Sequence, residues 1–429
     1  MNKLEALVYN WIKTNPYLKD GVRDVYQRLW DAIPIKRTAS AYNIDTREGY
    51  FFGFHDKCPW SGDGAMLLAH RFNIPLRMPK ADDVVEVGYF HGPEYQTFTS
   101  IGVTCAWNWH QGAMLQWMGE SQNIVFNDFD GQNHVARIVD AQGTAVTTLP
   151  LPVAAVSSDG RFALSYSFSR LRGTPFGYAY ANGKDGEADR LIPSKDGLHL
   201  VDIFSGKASL LFTVADIAAY QPTPSMRGAF HYFSHCQFSP SGRRFKFFHR
   251  WAEPNGQQRT RMLSSDLEGK NIHIFPTAEM VSHVAWHGDK HIVAYARTNE
   301  FGDKYYRFQD MSDNFSIIGA DVFHSDGHPS FSKDGRWMLT DTYPDRFRRR
   351  YLILYDMKGQ ERYNLAILFS PRQYAGNLAV GAIRCDLHPR WSRDNTMICF
   401  DSAHTGKRSL CTIKLGNLMH DGVEPSVIT

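Results

Sequence analysis

The sequence predicts an all-β fold, a seven-bladed β-propeller preceded by a short N-terminal helical extension. Two observations lead there. Aromatic residues, each followed by a small polar turn related to Ser-x-Asp-Gly, recur along the chain. Between them lie short runs with the period-two pattern of half-buried strands.

The extension covers residues 1–37. Leu4, Leu7, Val8, Trp11 and Ile12 fall on one helical face, and Val22, Val25, Tyr26, Leu29 and Trp30 form a second apolar face. Pro16 separates the two.

Residues 38–429 read as the propeller. The markers are Trp60, Trp109, Val156, Phe238, Trp286, Phe331 and Trp391, and subtracting successive positions gives intervals of 49, 47, 82, 48, 45 and 60 residues. Most lie near the length of one four-stranded blade. The unit at Phe331 shows the contents of a blade: 336–343, 350–357 and 361–368 read as three strands after the marker strand. The last unit has only 396–403 and 408–415 after Trp391, one strand too few. An open ring leaves an unpaired edge, so a segment within 38–54 is expected to supply that strand. The 82-residue interval contains "FSRLRGTPFGYAYANGKDGEADR" (168–190), which reads as a long loop over one face.

The composition fits a globular chain, with 43% hydrophobic and 21% charged residues. A net charge of +3 favours neither a nucleic-acid nor a membrane partner. The basic run Arg346-Phe347-Arg348-Arg349-Arg350 reads as a solvated hairpin. The N-terminus carries charges where a signal peptide needs an apolar core, and no run of 18 apolar residues occurs. The expectation is a cytoplasmic protein, its six cysteines kept as thiols without a C-x-x-C pair. Neither a phosphate-binding loop nor a nucleophile elbow is present.

The strongest functional signal is a register. Three residues before the last four markers stand His235, His283, His328 and His388, while the first three units carry Lys57, Ala106 and Val153 there. Equivalent blade positions share height and direction, so four imidazoles are expected on one side of the channel. A divalent cation bound by all four, or by three with the fourth left as a base, would relieve their crowding. The other reading is structural, since a propeller histidine can bond within its own blade. His55-Asp56-Lys57, Trp107-Asn108-Trp109-His110, His231, Arg250, His324, Arg384, Asp386 and Arg390 flank the same positions.

The units "HPSFSKDG" (328–335) and "HPRWSRDN" (388–395) resemble the His-Pro-x-aromatic-Ser-x-Asp-Gly repeats of the oligogalacturonate lyases, most strongly over 228–404. Ulvan lyases are similar in architecture. His328 and His388 match the motif histidine; His235 and His283 match in register without the proline. Where those lyases carry Gln-x-x-His-x-His, this chain has Arg384-Cys385-Asp386-Leu387-His388. The resemblance implies a metal-dependent lyase that cleaves an acidic oligo- or polysaccharide by β-elimination. His235, His283, His328 and His388 would hold a divalent ion, Mn²⁺ or Zn²⁺. His55 or His110 would be the base and Tyr178 the acid. Lys57, Arg172, Arg250 and Arg384 would bind the acidic sugar, and Trp109 would stack on it. A hydrolase or epimerase of acidic glycans, or a non-catalytic interaction propeller, are the alternatives.

Overall fold

The computed structural model describes residues 38–375 and 383–416. The expected helical extension over 1–37 lies outside the described residues. Seven antiparallel sheets follow one another around a ring, making a seven-bladed β-propeller. Blades one to seven span 50–104, 116–149, 155–213, 230–274, 281–318, 330–369 and 390–414.

Each blade starts with the marker strand, and the turn chemistry explains why the strands reverse there. Ser61 Oγ donates to Asp63 Oδ1, and the amide of Ala65 donates to the same oxygen. The arrangement repeats at Ser157/Asp159, Ser332/Asp334 and Ser392/Asp394. The residue after the aspartate takes a left-handed φ, 73° at Gly335 and 61° at Asn395. Glycine and asparagine tolerate that conformation best.

The register corrects one marker. Trp60, Val156, Phe238, Phe331 and Trp391 each pair with the residue seven positions later. In blade two the residue that does so is Trp117, opposite Ile124, not Trp109. The position three residues earlier is therefore Met114, not Ala106.

The ring closes as the missing strand required. Asp45–Glu48 pairs with Ser409–Thr412 and becomes the outer strand of blade seven. One addition was not foreseen: Ala39–Ser40 pairs with Ala366 and Ile367 as a fifth strand on blade six. The long loop lies between Phe162–Ser165 and Gly197–Asp202 and holds a single 3₁₀ turn, Arg170–Gly173.

The core lies between neighbouring blades. Trp337, Leu354, Trp391, Phe400 and Ile413 join blades six and seven. Phe168 and Tyr180 join the long loop to Leu164 and Leu198 of blade three and to Phe233, Phe245 and Leu263 of blade four. Such aromatics remove ~150–250 Å² each from water and dominate the burial energy. Among the described residues, no helix is long and apolar enough to cross a membrane.

Candidate functional site

Three of the four registered histidines, His283, His328 and His388, pack together, whereas His235 packs on Phe54 and Tyr178; local backbone irregularities aim them. The pairing of Phe230–Phe238 slips between Ser234 and Gln237, around His235. The pairing of Val281–His287 slips between Val281 and Val284, around His283. Such bulges re-aim a side chain. His235 and His388 adopt left-handed φ values of 54° and 46°, as does Met114 at the equivalent place in blade two. His328 rides on a loop packed so closely that a Cβ at Gly327 would lie 1.9 Å from the carbonyl oxygen of Asp341.

Ring centroids are 3.8 Å apart for His283 and His328 and 4.3 Å for His328 and His388. His55 joins them, 5.4 Å from His328 and 6.0 Å from His283. Oxygen acceptors orient three of the rings through Nδ1. His328 Nδ1 lies 2.7 Å from Asp341 Oδ1, His283 Nδ1 3.1 Å from Asp326 Oδ1, and His55 Nδ1 2.8 Å from the carbonyl of Pro329. Asp341 also accepts the backbone amides of His328 and His388, at 2.8 and 3.3 Å, and so ties blades six and seven together. His328 Nε2, His55 Nε2 and His235 Nδ1 find no hydrogen-bond partner among the described residues. An imidazole held through one nitrogen with the other left over is the usual arrangement of a metal-ligating histidine.

Burial is the main force on the protonation states. It holds His55, His235, His328 and His388 well below the usual imidazole range, helped by neighbouring imidazoles and, for His235, by Arg250 and Lys246. These rings are neutral and offer lone pairs. Burial, then the charge of Asp386, pushes Asp341 up to about 7. Burial would raise Asp386 too, but Arg384 and Arg350 hold it well below the carboxylate range. Its carboxylate lies 2.8 and 2.7 Å from Arg384 Nε and 2.8 Å from Arg350 Nη1. Strand alternation turns Arg350 inward, so the basic run is not wholly solvated.

Donor atoms of His328, Asp386 and His388 all lie within 4.8 Å of one another, so of the four expected ligands only two join this group among the described residues; His235 and His283 fall outside it, and Asp386 takes their place. Two imidazoles and a carboxylate are an apt set for Mn²⁺, Fe²⁺ or Zn²⁺. With the unpartnered Nε2 of His328, these residues fit a divalent ion.

The other expected residues divide. Tyr178, on the long loop, packs edge-on against His235 at 4.8 Å and lies 5.4 Å from His110. Burial raises its hydroxyl pKa, against the opposing charges of Arg250 and Arg384. His110 Nδ1 is 4.0 Å from Asp386 Oδ2. Arg250 lies between the rings of Phe176 and Phe248. Arg384 stacks on Tyr343, whose ring is 5.9 Å from His328.

Three expected residues have other partners. Trp109 is buried, donates Nε1–H to the carbonyl of Arg77 and packs on Trp107 and Phe72, so no sugar can stack on it. Arg172 is exposed and donates to the carbonyl of Gly183. Lys57 pairs with Asp56 at 2.9 Å and lines a cavity of about 680 Å³ toward the Ser-x-Asp-Gly turns. Sequence reasoning missed Phe54, Asp341 and Tyr343, which carry no repeat signature.

The seven-bladed ring is similar in fold to solved oligogalacturonate lyases. A solved structure of an oligogalacturonate lyase in complex with manganese superposes with a TM-score of 0.60 at 14% identity, covering 89% of this chain and 98% of that one. An oligogalacturonate lyase from Vibrio parahaemolyticus gives 0.57 at 12%, covering 88% and 98%. The tricorn protease gives 0.50 at 13%, covering 89% of this chain and 34% of its own. At such identities the likeness is one of fold. No protein-family model matches the sequence, and no curated protein does.

Proposed function

We propose that this protein is a lyase that cleaves a uronate-containing oligosaccharide by β-elimination. The observation that supports it is the juxtaposition of buried, carboxylate-oriented imidazoles with Arg384, Arg250 and a buried tyrosine. The chemistry requires a neutralised carboxylate, a base for the proton on the adjacent carbon, and an acid for the departing glycosidic oxygen.

Arg384 and Arg250 are the cations available for the substrate carboxylate, and a guanidinium matches its geometry. Arg384 is held in place by Asp386 and by the face of Tyr343. His328, Asp386 and His388 would hold a divalent ion, which when bound would supply further positive charge against the acidic sugar. His110 is the base: the carboxylate of Asp386 close to its Nδ1 favours the imidazolium formed on proton uptake. The electron pair left by that proton forms the carbon–carbon double bond as the glycosidic C–O bond breaks. Tyr178 gives its proton to the leaving oxygen. His55, packed within the cluster, belongs with the ion-facing imidazoles rather than with the base.

The test is incubation with defined galacturonide and glucuronide oligosaccharides. Ultraviolet absorbance from the conjugated product is expected, in step with new reducing ends. New reducing ends without absorbance would mean hydrolysis; neither signal across the panel would refute the proposal.

A further inference from the structure

Phe54 takes no part in the chemistry above, yet it stands at the centre of the site. Its ring centroid lies 4.6 Å from that of His55, 5.0 Å from His235, 4.9 Å from His388 and 6.1 Å from both His283 and His328. Tyr178 is 6.4 Å away, edge to face. These partners come from blades four, five, six and seven and from the blade-three loop. One side chain can face all of them only from the axis of the ring. Phe54 is 6% exposed, so it fills the channel rather than lining its wall.

The backbone holds it there. The amides of Phe52 and Gly53 donate to the buried Asp401 carboxylate at 3.0 and 2.9 Å. Arg390 donates to the Gly53 carbonyl at 3.1 Å and lies 3.4 Å from Asp401. On the other side Gly53, at φ 120°, passes so close to Gln111 that a Cβ would meet its carbonyl carbon at 2.8 Å. The segment is thus clamped between blade seven and the start of blade two. Its glycine is required there, because a side chain would collide and the φ is left-handed.

The channel is therefore divided. Toward the turns lies the 680 Å³ cavity that His55, Lys57, Gln237 and Trp391 line. Toward the long loop stand Tyr178, Tyr343, Arg384 and Asp326, the last three partly exposed. The geometry points to Phe54 as the floor of the cleft and a determinant of what it binds. A uronic acid unit enters from the loop face only. It stops above the imidazoles and Tyr178 that pack around Phe54, with its carboxylate at the height of Arg384. A chain cannot thread through the ring along its axis. This rests on the acidic-sugar reading given above.

The experiment measures binding and turnover separately. Calorimetry with monomeric galacturonate and glucuronate is run on wild type, Phe54→Ala and Phe54→Leu, each first checked for cooperative unfolding. Loss of the ring that the imidazoles pack against is expected to weaken binding about tenfold in Phe54→Ala and about threefold in Phe54→Leu. With short oligouronides KM rises in parallel, while kcat falls by less. Should Phe54→Ala not fold, the Leu variant carries the test. Dissociation constants and KM within the error of wild type in folded variants would overturn the inference, as would a wild type that binds no uronate. Uronate binding that weakens in the variants, with no unsaturated product from any enzyme, sustains the floor and overturns only the β-elimination reading.

Discussion

Asp386→Asn removes one charge from the middle of the site and leaves its shape. The wild-type carboxylate bonds Arg384 and Arg350, and Arg350 is itself buried. An amide keeps one acceptor oxygen and turns an NH₂ toward a guanidinium. Removing one partner of a buried ion pair costs about 3–5 kcal/mol, and urea unfolding in chelator should show a loss in that range. A second arm adds Mn²⁺ at one hundred times its wild-type Kd. Binding to the folded state should then stabilise the wild type by ~2.7 kcal/mol. If the missing ligand lowers affinity 10- to 100-fold, the same Mn²⁺ concentration adds only about 0.4–1.4 kcal/mol to the variant. A variant within about 1 kcal/mol of wild type in chelator, with an equal Mn²⁺ increment, would refute both the ion-pair account and Asp386 as a ligand.

Tyr178→Phe should lower kcat by about 10²–10⁴ and leave stability nearly unchanged. The ring stays, and Asn108 Nδ2 still donates to the backbone carbonyl of residue 178 at 2.9 Å; a rate within threefold of wild type would remove the hydroxyl from the mechanism. Trp109→Ala should cost ~3–5 kcal/mol in unfolding experiments, with KM within twofold for the folded fraction; a selective rise in KM would restore Trp109 as a sugar contact. His70 is fully buried, accepts the amide of Ala113 at Nε2, and is brought down to about 3 by burial. The unfolded chain holds that proton more tightly, so its contribution is present above about pH 6.5 and is lost as pH falls toward 3. Between pH 7 and 5 this amounts to about 2 kcal/mol. Denaturation of wild type and His70→Gln at both pH values should show that difference; equal pH dependence would contradict it.

Several features were legible because they are local. A Ser-x-Asp-Gly turn forms from its own hydroxyl, carboxylate and backbone amides, so its recurrence announces the blades wherever they pack. The closure was legible by counting, because a sheet edge left open demands a partner and only 38–54 was free to provide one. The histidine register could be counted too, since equivalent positions in a repeat occupy equivalent places. The Trp109 marker failed because "WNWHQGAMLQW" contains three tryptophans within one stretch. Only the pairing of Trp117 with Ile124 distinguishes the strand from the loop before it.

Other features depend on residues far apart in the chain. Phe54 reaches the axis through Asp401 and Arg390, more than 330 positions away, and Asp341 serves histidines on two blades. No short-range pattern encodes such contacts. Thus the amino-acid order alone specified the number of blades, the closing strand and the inward-facing histidines, all products of local hydrogen bonding and repetition. The partners that orient each imidazole, the burial that keeps the rings neutral and the ring that blocks the channel arose only when the seven blades closed around one axis, because each is a contact between blades.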